Sequence, residues 1–159
     1  MSCNGKDGNG ALNCVCSILA AIKEQQDSVQ PSDDRCANDF CNVLNNNFDT
    51  IPVILVTKKN TLLYNFIDID LAECEPTVYF RVNDVDEDTG CAQLEMLRPN
   101  AGRAITTGDE CCIPLNQVCA GADLELTPTG QCFFVDCNCL CSVRCINPNT
   151  VVNNGTPAG

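Results

Sequence analysis

The sequence predicts a mainly β, single-domain protein: a two-sheet β-sandwich led by a short N-terminal helix and followed by a flexible C-terminal tail. Three observations carry this. Between Ile51 and Cys145, apolar and β-branched residues come in short runs separated by turn residues, the pattern of a sandwich. One earlier segment repeats its apolar residues at helical spacing instead. After Asn147 the chain is mostly Asn, Gly, Pro and Thr, which bury too little to order themselves. The boundaries read as an arm at 1–12, a helix at 13–30, a β domain at 31–146 and a tail at 147–159. A chain of 159 residues suits one domain with a core of its own.

The arm holds Cys3 among Gly, Asn and Asp. Asn13 is placed to cap a helix whose stripe is Val15, Ile18, Leu19, Ile22 and Val29, ended by Pro31. Cys14 and Cys16 fall in its first turn, where unpaired N–H groups favour a thiolate, although simple burial explains them as well. The polar segment 32–47 carries Cys36 and Cys41, with a helical turn expected near Phe40 to Leu44.

A hairpin is then expected, Ile51–Thr57 against Thr61–Ile67 around Lys58-Lys59-Asn60, with Pro52 at the strand start. A second hairpin sets Val78, Phe80 and Val82 against Ala92, Leu94 and Met96 across an acidic turn. Pro99–Gly108 reads as a loop, and the adjacent Cys111 and Cys112 would face opposite sides of a strand. Leu124–Leu126 and Gln131–Asp136 flank an expected turn at Thr127-Pro128-Thr129-Gly130.

The stretch from Cys132 to Cys145 organises the chain. As one extended strand it places Phe133, Val135, Cys137, Cys139, Cys141, Val143 and Cys145 on one face. Asp136, Asn138, Ser142 and Arg144, with Phe134 and Leu140, take the other. Cysteines two apart on a strand have Cα atoms about 6.6 Å apart, at the upper limit for a disulfide. Their partners would come from a neighbouring strand, the N-terminal segment or another molecule.

Composition sets a conflict. Fifteen cysteines in 159 residues lie in the range of disulfide scaffolds, and an odd number leaves at least one without a partner inside the monomer. Yet Met1–Gly10 is polar and glycine-rich, without the apolar core of a signal peptide, so synthesis in a reducing cytosol is expected. Metal binding would resolve this, as would a protein built inside a cell that later meets the outside. The net charge of −12 argues against nucleic acid and anionic membranes, and no stretch is apolar enough for membrane insertion. It also makes copies repel, so assembly needs good contacts, salt or covalent bonds.

With no histidine, the Ser-His and Cys-His pairs and His-containing zinc sites are excluded, and no enzyme activity, cofactor or metal is predicted. A four-thiolate zinc site at Cys137, Cys139, Cys141 and Cys145 would need sulfurs about 3.8 Å apart, which same-face strand positions do not supply. Cys-x-x-Cys is absent throughout, which weakens both zinc and thioredoxin-like readings. Asp84, Asp86 and Asp88 with Glu95 approach a calcium-loop spacing, but Thr89 stands where glycine is needed, and a solvated hairpin turn is the better reading.

Several segments, in order, carry a family resemblance: Met1-Ser2-Cys3, Cys14-Val15-Cys16, Asp49-Thr50-Ile51-Pro52 followed by Lys58-Lys59, Phe80-Arg81-Val82, Cys91-Ala92-x-Leu94 and Leu97-Arg98-Pro99. The most specific is Val135-Asp136-x-x-Cys139-x-Cys141-x-x-x-Cys145. Over roughly residues 1 to 148 the chain resembles the cysteine-rich spore coat and exosporium proteins of the CotY/CotZ/ExsY family. Cys137 stands where that family usually has an aliphatic residue, and the tail after Pro148 looks like an extension.

The resemblance implies synthesis in the mother-cell cytoplasm without a signal peptide, then deposition in the coat or exosporium at the spore surface. It implies a structural protein that self-assembles, often hexagonally, with copies of itself and with other coat or exosporium proteins. Cys3, Cys14 and Cys16 on the arm side and Cys137, Cys139, Cys141 and Cys145 on the strand are the cross-linking candidates. A zinc-binding module and a thiol redox protein are the alternatives.

Overall fold

Ala20, Ala21, Lys23, Glu24, Gln25 and Gln26 are strong helix formers, and around them the chain forms α1 (Cys14–Asp27). The computed structural model describes residues 14–27, 49–71, 73–105 and 123–152, so Asn13 and Val29 lie outside the described residues. Val15, Cys16, Leu19, Ile22 and Gln26 form the buried stripe of α1. Removing each of its aliphatic side chains from water contributes about 1.5 to 3 kcal/mol. Gln26 fixes the last turn: its amide Nε2 donates to the Val82 carbonyl at 2.8 Å, and its Oε1 accepts from the Ile51 N–H at 2.9 Å.

The rest of the described chain is mainly β, in a single domain with two sheets. Five strands, β1 (Val53–Thr57), β4 (Phe80–Asp86), β5 (Cys91–Pro99), β6 (Leu126–Asp136) and β7 (Leu140–Cys145), pair in the order β6-β5-β4-β1-β7. The hairpin of β2 (Asn65–Asp70) and β3 (Glu73–Thr77) forms the second sheet. It is tied to β6 by Gln131, whose side chain accepts from the Asp68 N–H and donates to the Asp68 carbonyl, both at 2.9 Å.

The strand order forces the larger sheet to curl. β6 and β7 lie at opposite edges, yet only the 3-10 turn Cys137–Cys139 joins them. Four residue steps span at most about 14 Å, whereas five flat strands would put the outer two about 19 Å apart. The bend falls between β1 and β4, which share one backbone pair, Val53 with Phe80. Inside it, Val53, Leu55, Phe80, Val82, Ala92 and Leu94 meet Leu19 and Ile22 of α1. On the other side of β1, Ile54 joins Tyr79, Leu97, Leu126 and Val151 in a second buried cluster. Val53, Ile54 and Leu55 are all apolar and buried because both faces of β1 are covered there.

The second expected hairpin is β4–β5, with Ala92, Leu94 and Met96 inward and Cys91 outward. Three expectations need correction. Lys58-Lys59-Asn60 does turn the chain, with Asn60 at φ 64, but the return pairs only at Leu62 with Val56. β7 runs along one side of β1, so Thr61–Leu63 fill only the wedge where β4 diverges, and β2 leaves to pair with β3.

Thr127–Gly130 is not a turn; it lies inside β6 as an irregularity, with Glu95 opposite Cys132 and Leu97 opposite Pro128. Gly130 absorbs the extra residues at φ 73, and an edge strand tolerates Pro128. The tail does not begin at 147. Asn147 caps a 3-10 turn at Pro148–Thr150, Val151 is buried, and the Val152 N–H donates to the Leu126 carbonyl at 2.9 Å. Residues 153–159 lie outside the described residues, as do the expected arm and the helical turn near Phe40.

Candidate functional site

The cysteine stretch is not one strand. Asp136 ends β6 because its carboxylate replaces a backbone acceptor: Oδ1 takes the Asn138 N–H and the Asn138 side-chain amide, each at 3.0 Å. The resulting turn is held from both sides, with the Cys137 N–H donating to the Gly90 carbonyl at 2.9 Å and the Lys58 N–H to the Cys139 carbonyl at 3.0 Å. Gly90 has φ 81, and a Cβ there would fall 2.3 Å from Asn138 Nδ2. The backbone rotation through the turn breaks the expected alternation. Phe133, Val135 and Val143 still pack on the core and Phe134 faces out, but Leu140 is buried and Cys141 exposed.

Cys137, turned inward, bonds to Cys16 across 121 residues with Cα atoms 5.2 Å apart. The N-terminal segment is therefore its partner, one of the three destinations left open. The expectation that Cys16 and Cys137 lock neighbouring chains gives way to a link inside one chain. Asn138 Oδ1 lies 3.3 Å from Cys16 Sγ; with the sulfur oxidised this is a contact and not a hydrogen bond. Cys139 and Cys145 are disulfide-bonded as well.

These bonds bear on the zinc alternative, since Cys137, Cys139 and Cys145 are not available as thiolates. Among the described residues, no group of three or more Cys, Asp or Glu is gathered as a metal site. Asp84 and Asp86 lie on β4, opposite Gln93 and Cys91, and Asp88 lies in the turn that follows, where Asp86 Oδ1 accepts from the Asp88 N–H at 2.9 Å. Glu95 is instead on β5, accepting from Asn83 and from the Gly130 N–H.

Among the described residues, the free thiols lie elsewhere. Cys14, Cys74, Cys91, Cys132 and Cys141 are unpaired and exposed. Cys14 opens α1, and Cys74 sits on β3 opposite Asp68. Cys91 opens β5 between Asp86 and Asp136, while Cys132 lies on edge strand β6 opposite Glu95. Cys141, on the other edge strand, donates to the Thr57 carbonyl at 3.1 Å. Burial first, then the Glu95 carboxylate, push the Cys132 thiol up, against a weaker pull from Asn83 and Arg81. Of the expected cross-linkers, Cys14 and Cys141 are thus exposed thiols, and Cys3 lies outside the described residues. Cys74, Cys91 and Cys132 join them; for Cys91 the signal was the alternation that put Ala92, Leu94 and Met96 inside.

A β body stapled by internal disulfides and carrying separate exposed thiols defines a cysteine-rich, disulfide-bonded β protein. The family described as spore coat protein Z matches residues 1–148, and the chain belongs to that family. The chain is also similar to spore coat protein Z of Bacillus subtilis (strain 168), with 27% identity over 143 residues, covering 87% of this chain and 92% of the relative. No solved structure matches it. Membership carries a structural role in the spore coat and a place at the spore surface. Among the described residues, no helix is long and apolar enough to cross a membrane.

Proposed function

We propose that the protein is a non-enzymatic building block that assembles with copies of itself and with other coat or exosporium proteins, after which intermolecular disulfides lock the contacts. The observation that carries this is the division of sulfur. Buried cysteines hold the body together, whereas Cys14, Cys74, Cys91, Cys132 and Cys141 stand exposed and unpaired. An exposed thiol adds nothing to the core. Once two copies touch, a bond between such thiols makes separation require reduction. Cys3, next to Cys14 in sequence order, is proposed to act with it.

The test is oxidation of the full chain followed by non-reducing electrophoresis. Wild type is expected to give high-mass ladders, and a chain with Cys14, Cys74, Cys91, Cys132 and Cys141 changed to serine is expected to lose most of them. A wild-type protein that stays monomeric under air, with those thiols free or holding zinc, would overturn the proposal. Replacing Cys3 and Cys14 alone measures the share of the arm.

A further inference from the structure

We propose that one end of the molecule, centred on the Cys137–Cys139 turn, is a self-complementary contact for a second copy of this chain, sealed by disulfides between Cys91 of each copy and Cys141 of the other. This rests on the proposed cross-linking and names which surface meets which. The turn is flanked by two others. On one side the Lys58 N–H is bonded to the Cys139 carbonyl, and on the other the Gly90 carbonyl holds the Cys137 N–H.

The flanks differ in charge. Lys58 and Lys59 are exposed and make no ion pair among the described residues, unlike Lys23, Arg98 and Arg103. Glu87 and Asp88, at the tip of the other turn, are exposed and make no ion pair among the described residues either. Each flank carries one free exposed thiol: Cys141 donates to the carbonyl of Thr57, next to Lys58, and Cys91 follows Gly90.

Side-by-side patches of opposite sign are self-complementary under a two-fold axis lying between them in the contact plane, because the rotation lays each basic patch on the partner's acidic one. The same rotation brings Cys141 of one copy toward Cys91 of the other, twice. In a chain of net charge −12, this local pairing gives approaching copies a preferred orientation. Each bond forms by exchange with a small-molecule disulfide. One thiolate attacks it and releases a thiol, and the second thiolate displaces the other half, so two protein thiols become one disulfide as the small disulfide is reduced to two thiols.

The experiment uses full-length chains, one isotopically labelled, oxidised at low salt with oxidised glutathione and digested without reduction for mass spectrometry. Wild type should yield a Cys91–Cys141 peptide pair joining labelled and unlabelled chains. Lys58→Glu/Lys59→Glu makes both patches acidic, and Glu87→Lys/Asp88→Lys makes both basic. Each variant alone should lose the pair by about tenfold or more through like-charge repulsion, and mixing the two should restore it in mixed dimers. Circular dichroism checks that both variants are folded. Ladders that form without this pair, or a pair indifferent to charge reversal, overturn the contact alone. A wild type with no intermolecular disulfide at all overturns the proposed function with it.

Discussion

The inner seam joining α1 to the Cys137–Cys139 turn and the outer rim carrying Cys91 and Cys141 lie within a few residues of each other, yet they use the same element in opposite ways. At the seam, sulfur is fully buried, oxidised and surrounded by Leu19, Ile22 and Leu140. At the rim it is reduced, exposed and set among charges. A bond at the seam closes a loop and chiefly limits the unfolded chain. A bond at the rim limits nothing within one molecule, so its consequence falls on the next. Depth, and not the residue type, decides which task a cysteine performs here.

Removing the seam should have the largest effect. Cys16→Ala with Cys137→Ala opens a link across 121 residues and is expected to cost about 3 to 5 kcal/mol, read as a lower urea midpoint. Cross-linking of the rim thiols in the folded fraction should persist. Equal loss of both would erase the distinction between the regions.

Gly90→Ala tests the joint between them. It forces an alanine to positive φ and drives a Cβ into Asn138, so about 2 to 3 kcal/mol should be lost in thermal melts. Unchanged stability would mean that the turn is not held as described. Gln26→Ala leaves the Val82 carbonyl and the Ile51 N–H without partners and should cost about 1 to 3 kcal/mol by chemical denaturation, while exposed-thiol counts stay the same.

The smallest effect concerns reactivity at the rim. The folded Cys132 thiol has its pKa raised, so its thiolate fraction at pH 8 is lowered and alkylation by iodoacetamide should be slower than in the unfolded chain, recovering as pH rises. Glu95→Gln removes one cause and should speed alkylation about twofold. Peptide mass spectrometry after timed labelling gives both rates. A Cys132 that reacts as fast folded as unfolded would show no such shift.

Much of the fold was legible because local chemistry speaks for it. The helical stripe of Val15, Leu19 and Ile22 and the alternation of Ala92, Leu94 and Met96 report which face is covered. Pairing between distant segments is different. Thr61–Ile67 reads as the natural partner of Ile51–Thr57, and nothing nearby in sequence says that β7 takes one side of β1. Thr127–Gly130 has the composition of a turn and becomes an irregularity in a strand, because Pro128 and Gly130 also suit an edge.

The amino-acid chain alone determined the abundance of sulfur, the acidity, the mainly β class and the helix, since these follow from composition and from periods of two and of about 3.6 residues. Only the tertiary structure decided which cysteines are inside. The Asp136 carboxylate breaks the strand, the turn that follows points Cys137 toward Cys16, and the backbone rotation through that turn leaves Cys141 facing solvent, bonded to the Thr57 carbonyl. A thiol is small and nearly apolar, so it is at home at either depth, and its place is set by the packing of its larger neighbours.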